Sequence, residues 1–445
     1  MNRFQKPSAV IVSLLLSLAA STRAQELVVT PDHPTGVYEV GQDVHWTVKY
    51  QVTPSTQPST QPAPAAPTGA KYSIKKGGMT VLREGSIDLV DGQATIDANI
   101  DEPGTLLLEV NATAGKAIKS WGGAIAGADQ IQPSSPRPAD FDAFWQEKLD
   151  EISKIPTNPQ LTPGDGGKTN VEYSKITLDN IRGTHIQGQI AKPKDGKKLP
   201  AMLIVQWAGV YPLQKAWVVD RAAEGWLALN INAHDIAIDG NEAFYKEQNA
   251  GPLKDYPRIG NDDRNTSYFL RMYLSCYQAA QYLTERDDWD GKVLVVTGGS
   301  QGGLQSFVTA ALHPKITALL AAVPAGCDML GPTVGRSPGW PKWYFTATPE
   351  NADKVHEASR YYDVVNFASR IKCPALVGVG LIDQTCPPAG VFAAINQLQS
   401  PHEVVLLVNG QHHNVGNAHA PYYARFGEWM DELKQGKAPP VKSVK

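Results

Sequence analysis

Serine, aspartate and histidine, the residue types that together perform acyl transfer, follow three apolar runs in that order. Ser300 lies in Thr297-Gly298-Gly299-Ser300-Gln301-Gly302-Gly303. Residues 293–296 before it read as a buried strand, and residues 304–312 after it suit a helix. Gly-x-Ser-x-Gly between strand and helix is a nucleophile elbow, which lifts the serine hydroxyl off the sheet edge. Its glycines suit a turn too tight for a Cβ, and a helix N-terminus beneath the serine favours developing negative charge. Asp383 comes just after the apolar run 374–380, on the strand edge where α/β sheets carry their sites. His412 comes just after the run 404–408 and Gly410. The order Ser300, Asp383, His412 is that of a serine hydrolase triad: nucleophile, acid, base. His413 is the alternative base. Asp353 and Asp363 are alternative acids, but neither follows an apolar strand, and both read as solvated or capping residues. Such a triad needs neither metal nor organic cofactor.

The surrounding elements fit that placement. Residues 171–178 and 184–191 read as paired antiparallel strands. Residues 201–206 and 226–231 are continuous apolar runs of the kind buried on both faces of a sheet. Helices are expected over 215–224 and 267–286, and alternation of this kind predicts an α/β-hydrolase fold with a mostly parallel sheet. A helix carrying Phe141, Phe144, Trp145, Leu149 and Ile152 on one face opens the domain as packing surface. The long segment 326–349, with Trp340, Trp343 and Tyr344, reads as a pocket wall, the alternative being a surface insertion with a local aromatic cluster.

A chain of 445 residues exceeds what one core usually serves, so two domains are expected. With 42% apolar residues, 19% charged residues and a net charge of −3, nothing points to nucleic acid or an anionic membrane as partner. Residues 1–24 combine Arg3 and Lys6 with an apolar stretch and small residues before Gln25, the pattern of a secretory signal peptide. Its apolar run is too short to span a bilayer. A secreted or periplasmic protein is therefore expected. Residues 25–121 alternate apolar and polar residues in short runs, as at Val44, Trp46, Val48 and Tyr50, which predicts a small immunoglobulin-like β-sandwich. Its alternating aromatics read as core, which favours a structural or interface role over glycan binding. A Pro-rich loop over 53–68 interrupts it, a Gly/Ala/Ser/Pro linker is expected over 122–137, the catalytic domain over 138–437 and a disordered tail over 438–445. The four cysteines, Cys276, Cys327, Cys373 and Cys386, read as buried free thiols. Cys373 and Cys386 are separated by a strand that spans roughly 23 Å, beyond disulfide reach.

Gly298-Gly299-Ser300-Gln301-Gly302-Gly303, Ile371-Lys372-Cys373-Pro374, Gly380-Leu381-Ile382-Asp383-Gln384-Thr385-Cys386-Pro387-Pro388, Tyr361-Tyr362-Asp363 and Pro138-Ala139-Asp140-Phe141 resemble motifs of the acetyl xylan esterase and cephalosporin C deacetylase family. The resemblance spans about residues 138–430. It implies removal of O-acetyl groups from acetylated carbohydrates such as xylan, or from small acetyl esters, by an acyl-enzyme route. It implies an oxyanion hole formed by the backbone N–H of Gln301 and an N–H on the loop after an early strand, placed at Ala208. Two elements depart from the family: its Arg-Gly-Gln element is absent near Asn232-Ala233-His234-Asp235, and its His-Glu pair reads His412-His413. The alternatives are another α/β-hydrolase, peptidase or general carboxylesterase, and a non-catalytic glycan-binding protein on the same fold. The oligomeric state is left open.

Overall fold

The computed structural model describes residues 25–52, 65–439 and 441–442. The expected signal peptide and most of the Pro-rich loop lie outside them. Among the described residues, the N-terminal part is a β-sandwich of eight strands: β1 Gln25–Pro31, β2 Val37–Tyr38, β3 Asp43–Val52, β4 Gly69–Lys76, β5 Thr80–Asp88, β6 Gln93–Asn99, β7 Gly104–Ala114 and β8 Lys116–Ala126. Three strands pair in the order β1-β3-β6 and five in the order β2-β8-β7-β4-β5. The alternation read from the sequence is the reason the two sheets close. Val44, Trp46 and Val48 of β3 point inward against Leu106, Leu108 and Val110 of β7, and all six are buried in one core.

The expected linker starts too early. Gly122 to Ala126 complete β8, which pairs with β7 along its whole length. The Gly-Gly and Ala content that reads as a linker instead reflects close packing: a Cβ on Gly122 would stand 2.5 Å from Val29 Cγ1. The segment beyond is also tied down, since Asn396 Nδ2 donates to the carbonyls of Ala128 and Ile131.

The larger part is built on nine strands among the described residues: β9 Gln160–Gly164, β10 Val171–Asp179, β11 His185–Pro193, β12 Leu199–Ile204, β13 Leu227–Ile231, β14 Trp289–Gly299, β15 Ala318–Ala322, β16 Ala375–Gly380 and β17 His402–Leu407. Their order is β17-β16-β15-β14-β12-β13-β11-β10-β9. From β17 to β13 the neighbours are parallel, and β11, β10 and β9 continue antiparallel. Successive residues of β14 enter opposite cores. Leu294 and Val296 face one that includes the helices Phe141–Ile152, Tyr268–Glu285 and Gln301–Leu312. Val293 and Val295 face the other, covered by the helix Ala420–Lys434. Burial on both faces explains why these strands read as unbroken apolar runs.

Two further expectations are refined. The aromatic segment 326–349 is part core and part pocket wall: Trp343 is buried against Phe269 at 4.9 Å between ring centroids and donates Nε1–H to the Pro257 carbonyl at 2.7 Å, while Ser337 and Lys342 line a cavity with Asp383. Within the expected tail, the N–H of Lys442 donates to Glu403 Oε2 at 3.0 Å while Val441 packs on the second core. Glu403 is buried and already holds Arg425, so it ties Lys442 to β17. As expected, all four cysteines are free and buried.

Candidate active site

β14 ends at Gly299, and the helix Gln301–Leu312 starts one residue past Ser300. Ser300 therefore takes the whole reversal, with φ 57° and ψ −121°. That conformation is strained for a residue with a Cβ and persists only where its surroundings hold it. The glycines make the surroundings possible. A Cβ on Gly298 would meet Gly302 Cα at 2.7 Å, and one on Gly302 would meet the Val205 carbonyl oxygen at 2.6 Å.

Three strand ends bring the expected residues together. Ser300 Oγ lies 2.8 Å from His412 Nε2, and His412 Nδ1 lies 2.8 Å from Asp383 Oδ2. The other carboxylate oxygen, Oδ1, accepts from the backbone N–H groups of Thr385 and Cys386, both at 2.8 Å. Asp383 is fully enclosed, whereas the His412 side chain is 12% exposed. The acid turn and the histidine loop are joined: Ile382 N–H donates to the Gly410 carbonyl at 3.3 Å. His413 is exposed and only packs its ring edge-on to His412. Asp363 caps the helix Val364–Ala368 and accepts from the N–H groups of Asp328 and Met329, and Asp353 lies in the first turn of another helix. Neither alternative acid joins the chain from Ser300.

The turn after β12 runs beside the elbow. Gln305 Nε2 donates to the Gln206 carbonyl at 2.8 Å, and Gln301 Nε2 to the same oxygen at 3.3 Å. Gly209 is held on both sides, its N–H donating to Tyr256 Oη and its carbonyl accepting from His234 Nε2 at 3.0 Å. Tyr256 in turn donates to Gln301 Oε1 at 2.5 Å. Among the described residues, the N–H groups of Ala208, Val210 and Gln301 have no hydrogen-bond partner. Burial keeps His234 neutral, its pKa lowered to about 4. The sequence reading missed Tyr256, His234 and Gln305. Gln305 alone left a signal, one helical turn after Gln301. Trp207 stands 47% exposed on this turn. Its indole stacks on Tyr211 at 5.2 Å between ring centroids and packs T-shaped with Trp217 at 5.1 Å.

Among the described residues, Asp383, Cys386 and His412 are the only His/Cys/Asp/Glu group with ligand-type atoms close enough to share an ion, within 4.8 Å of one another. The aspartate and histidine are engaged with each other, and burial pushes the Cys386 thiol well above its ordinary pKa. The trio is better matched to proton transfer than to a metal.

A family model described as acetyl xylan esterase matches residues 127–428. The chain belongs to the acetyl xylan esterase family. It is also 30% identical over 389 residues to the acetyl esterase Axe7A of Xylanibacter ruminicola, covering 86% of this chain and 85% of that one. An acetyl xylan esterase from Paenibacillus sp. R4 superposes with a TM-score of 0.58 at 26% identity, covering 67% of this chain and 97% of its own. Acetyl xylan esterase 1 from a Thermoanaerobacterium species shares the fold with a TM-score of 0.57, at 24% identity over 67% of this chain and 96% of its own. As a member of the acetyl xylan esterase family, this protein is a carboxylic ester hydrolase on an α/β-hydrolase fold.

Proposed function

We propose that the protein is a serine esterase that removes O-acetyl groups from acetylated carbohydrates of the xylan type. The continuous hydrogen-bonded chain Ser300–His412–Asp383 carries this reading. His412 accepts the Ser300 proton as the hydroxyl attacks the acetyl carbonyl, and Asp383 holds the imidazole with Nε2 free to act as base. The oxyanion is stabilised by the N–H of Gln301 and by the turn after β12, where Ala208 and Val210 both offer amides. Each such donor contributes about 3–4 kcal/mol in related chemistry. His412 then returns the proton to the departing sugar hydroxyl, and a water activated the same way releases acetate from Ser300.

The carbohydrate part of the reading is supported by Trp207. Its indole stands half exposed on the turn that carries Ala208, and an indole suits the C–H face of a sugar. Residues 1–24 fit export to the compartment where such polymers are met. The test is acetate release from acetylated xylan, other acetylated glycans and p-nitrophenyl acetate, with Ser300→Ala as control. The variant is expected to lose nearly all turnover and all fluorophosphonate labelling. Full activity or labelling in the variant overturns the nucleophile, and turnover of peptide amides in place of acetyl esters overturns the substrate class.

A further inference from the structure

The N-terminal sandwich packs on the turn that carries Asp383. Leu381 follows β16 and precedes Asp383 by two residues. A Cβ on Gly123 of β8 would stand 2.6 Å from the Leu381 carbonyl oxygen, 2.7 Å from its Cβ and 2.8 Å from its carbonyl carbon. A Cβ on Gly36, between β1 and β2, would stand 2.6 Å from Leu381 Cδ1. Backbone of the sandwich thus lies directly on backbone of the acid turn, with only hydrogen atoms between. Farther along the turn, Gly78 and residues Thr105, Leu106 and Leu107 share a cavity of about 190 Å³ with Asp383 and Gln384. A second route runs through segment 335–342. Ser337 N–H donates to the Gly77 carbonyl at 2.8 Å. From the same segment, Trp340 N–H and Lys342 Nζ hold the carbonyls of Thr385 and Gln384, at 2.8 and 3.1 Å.

We propose that the sandwich is a positioning element for the triad, with Gly123 as the residue that sets where the Asp383 turn stands relative to His412. The proposal rests on Asp383 acting as the acid. It assigns a task to a part of the chain that lies outside the family match, which begins at residue 127, one past β8. The contact has the stiffness the task needs. A side-chain contact can relax by changing rotamer, but a carbonyl pressed against a Cα cannot. The acid has little tolerance, because its bond to His412 is a single 2.8 Å contact. A methyl at 123 would be about 0.8 Å short of ordinary contact with the Leu381 carbonyl, and misplacement on the order of 1 Å costs up to about 100-fold in rate.

The neighbouring glycine supplies the control. A Cβ on Gly122 meets Val29 and Trp46, inside the sandwich's own core and away from Leu381. Gly123→Ala and Gly122→Ala are therefore compared in the full chain by kcat and KM on p-nitrophenyl acetate and by thermal unfolding. Gly123→Ala is expected to lower kcat about tenfold or more with KM within about twofold. Gly122→Ala is expected to lower the melting temperature and keep kcat. Leu381→Ala, which removes the side chain resting on Gly36 without adding bulk, is expected to lower kcat as Gly123→Ala does, and it serves if Gly123→Ala does not fold. Wild-type kcat in a folded Gly123→Ala, or in Leu381→Ala, overturns the proposal. So does a parallel loss of kcat in Gly122→Ala and Gly123→Ala that tracks stability. Failure of the esterase reading is recognised separately, by absent turnover in the wild type or unchanged turnover in Ser300→Ala.

Discussion

Replacing Asp383 by asparagine separates holding from reacting. In the native site, Oδ1 takes two backbone N–H bonds, from Thr385 and Cys386, and Oδ2 takes the imidazole N–H. An asparagine has one acceptor oxygen, and two donors compete for it from the backbone against one from His412. Its carbonyl must therefore face Thr385 and Cys386, since turning it round would point an NH₂ at two N–H groups. The NH₂ then donates to His412 Nδ1, which forces the imidazole proton onto Nε2, where it faces Ser300. A base protonated there cannot take the serine proton. The equivalent tautomer error in another serine hydrolase lowers kcat about 10⁴-fold, or roughly 5 kcal/mol at about 1.4 kcal/mol per factor of ten. Stability should barely change, because both backbone bonds persist. Asp383→Ala leaves those two amides without an acceptor, a cost of about 1–3 kcal/mol each, and should melt earlier. The assay is kcat on p-nitrophenyl acetate beside thermal unfolding for both variants. A folded Asp383→Asn protein that retains more than about a tenth of wild-type kcat would refute this account of the tautomer.

Two other perturbations read different parts of the molecule. Trp207→Ala should raise KM for acetylated xylo-oligosaccharides about tenfold, for a stacking contribution near 1–1.5 kcal/mol. It should leave p-nitrophenyl acetate kinetics unchanged; an equal effect on both substrates would remove Trp207 from sugar binding. His234 and His313 are both held neutral by burial, with pKa values lowered to about 4 from an ordinary 6.5. Below pH 6.5 the unfolded chain takes up protons that the native state refuses. Stability should therefore be complete above that pH and fall toward pH 4 by at most about 1.4 kcal/mol per pH unit for each group. Urea midpoints at pH 7, 5.5 and 4.5 measure the slope. It should flatten in His234→Gln, and a flat wild-type profile would show that neither histidine is excluded from protonation.

The meeting of Ser300, Asp383 and His412 was legible because each follows a strand buried on both faces, and such strands announce themselves as apolar runs. What followed each run was short, so register left little room for error. The supporting residues were hidden for the opposite reason. Tyr256 and His234 act through single hydrogen bonds across 45 and 25 positions of sequence, and no local pattern marks them. The helix Pro388–Ile395 is buried on every side, so it has no polar face and hence no 3.6-residue period to find. β8 was lost because two glycines and several alanines look flexible in isolation. Their smallness is instead the imprint of Trp46 on one side and Leu381 on the other. Trp343 misled in the same way: an aromatic in an irregular segment looks like a pocket lining, but here it fills the core against Phe269.

The triad closes late along the chain. Ser300 and its elbow precede β16, the acid turn comes after it, and the base arrives only at position 412, followed by the helix Ala420–Lys434 and the link from Lys442 to Glu403. A nascent or prematurely terminated chain would carry the nucleophile without the group that activates it. On the proposed mechanism, hydrolysis thus waits for residue 412 to be in place. Fragments ending before His412 should be silent however well they fold, and restoring residue 412 and the strand that precedes it should restore acetyl ester turnover.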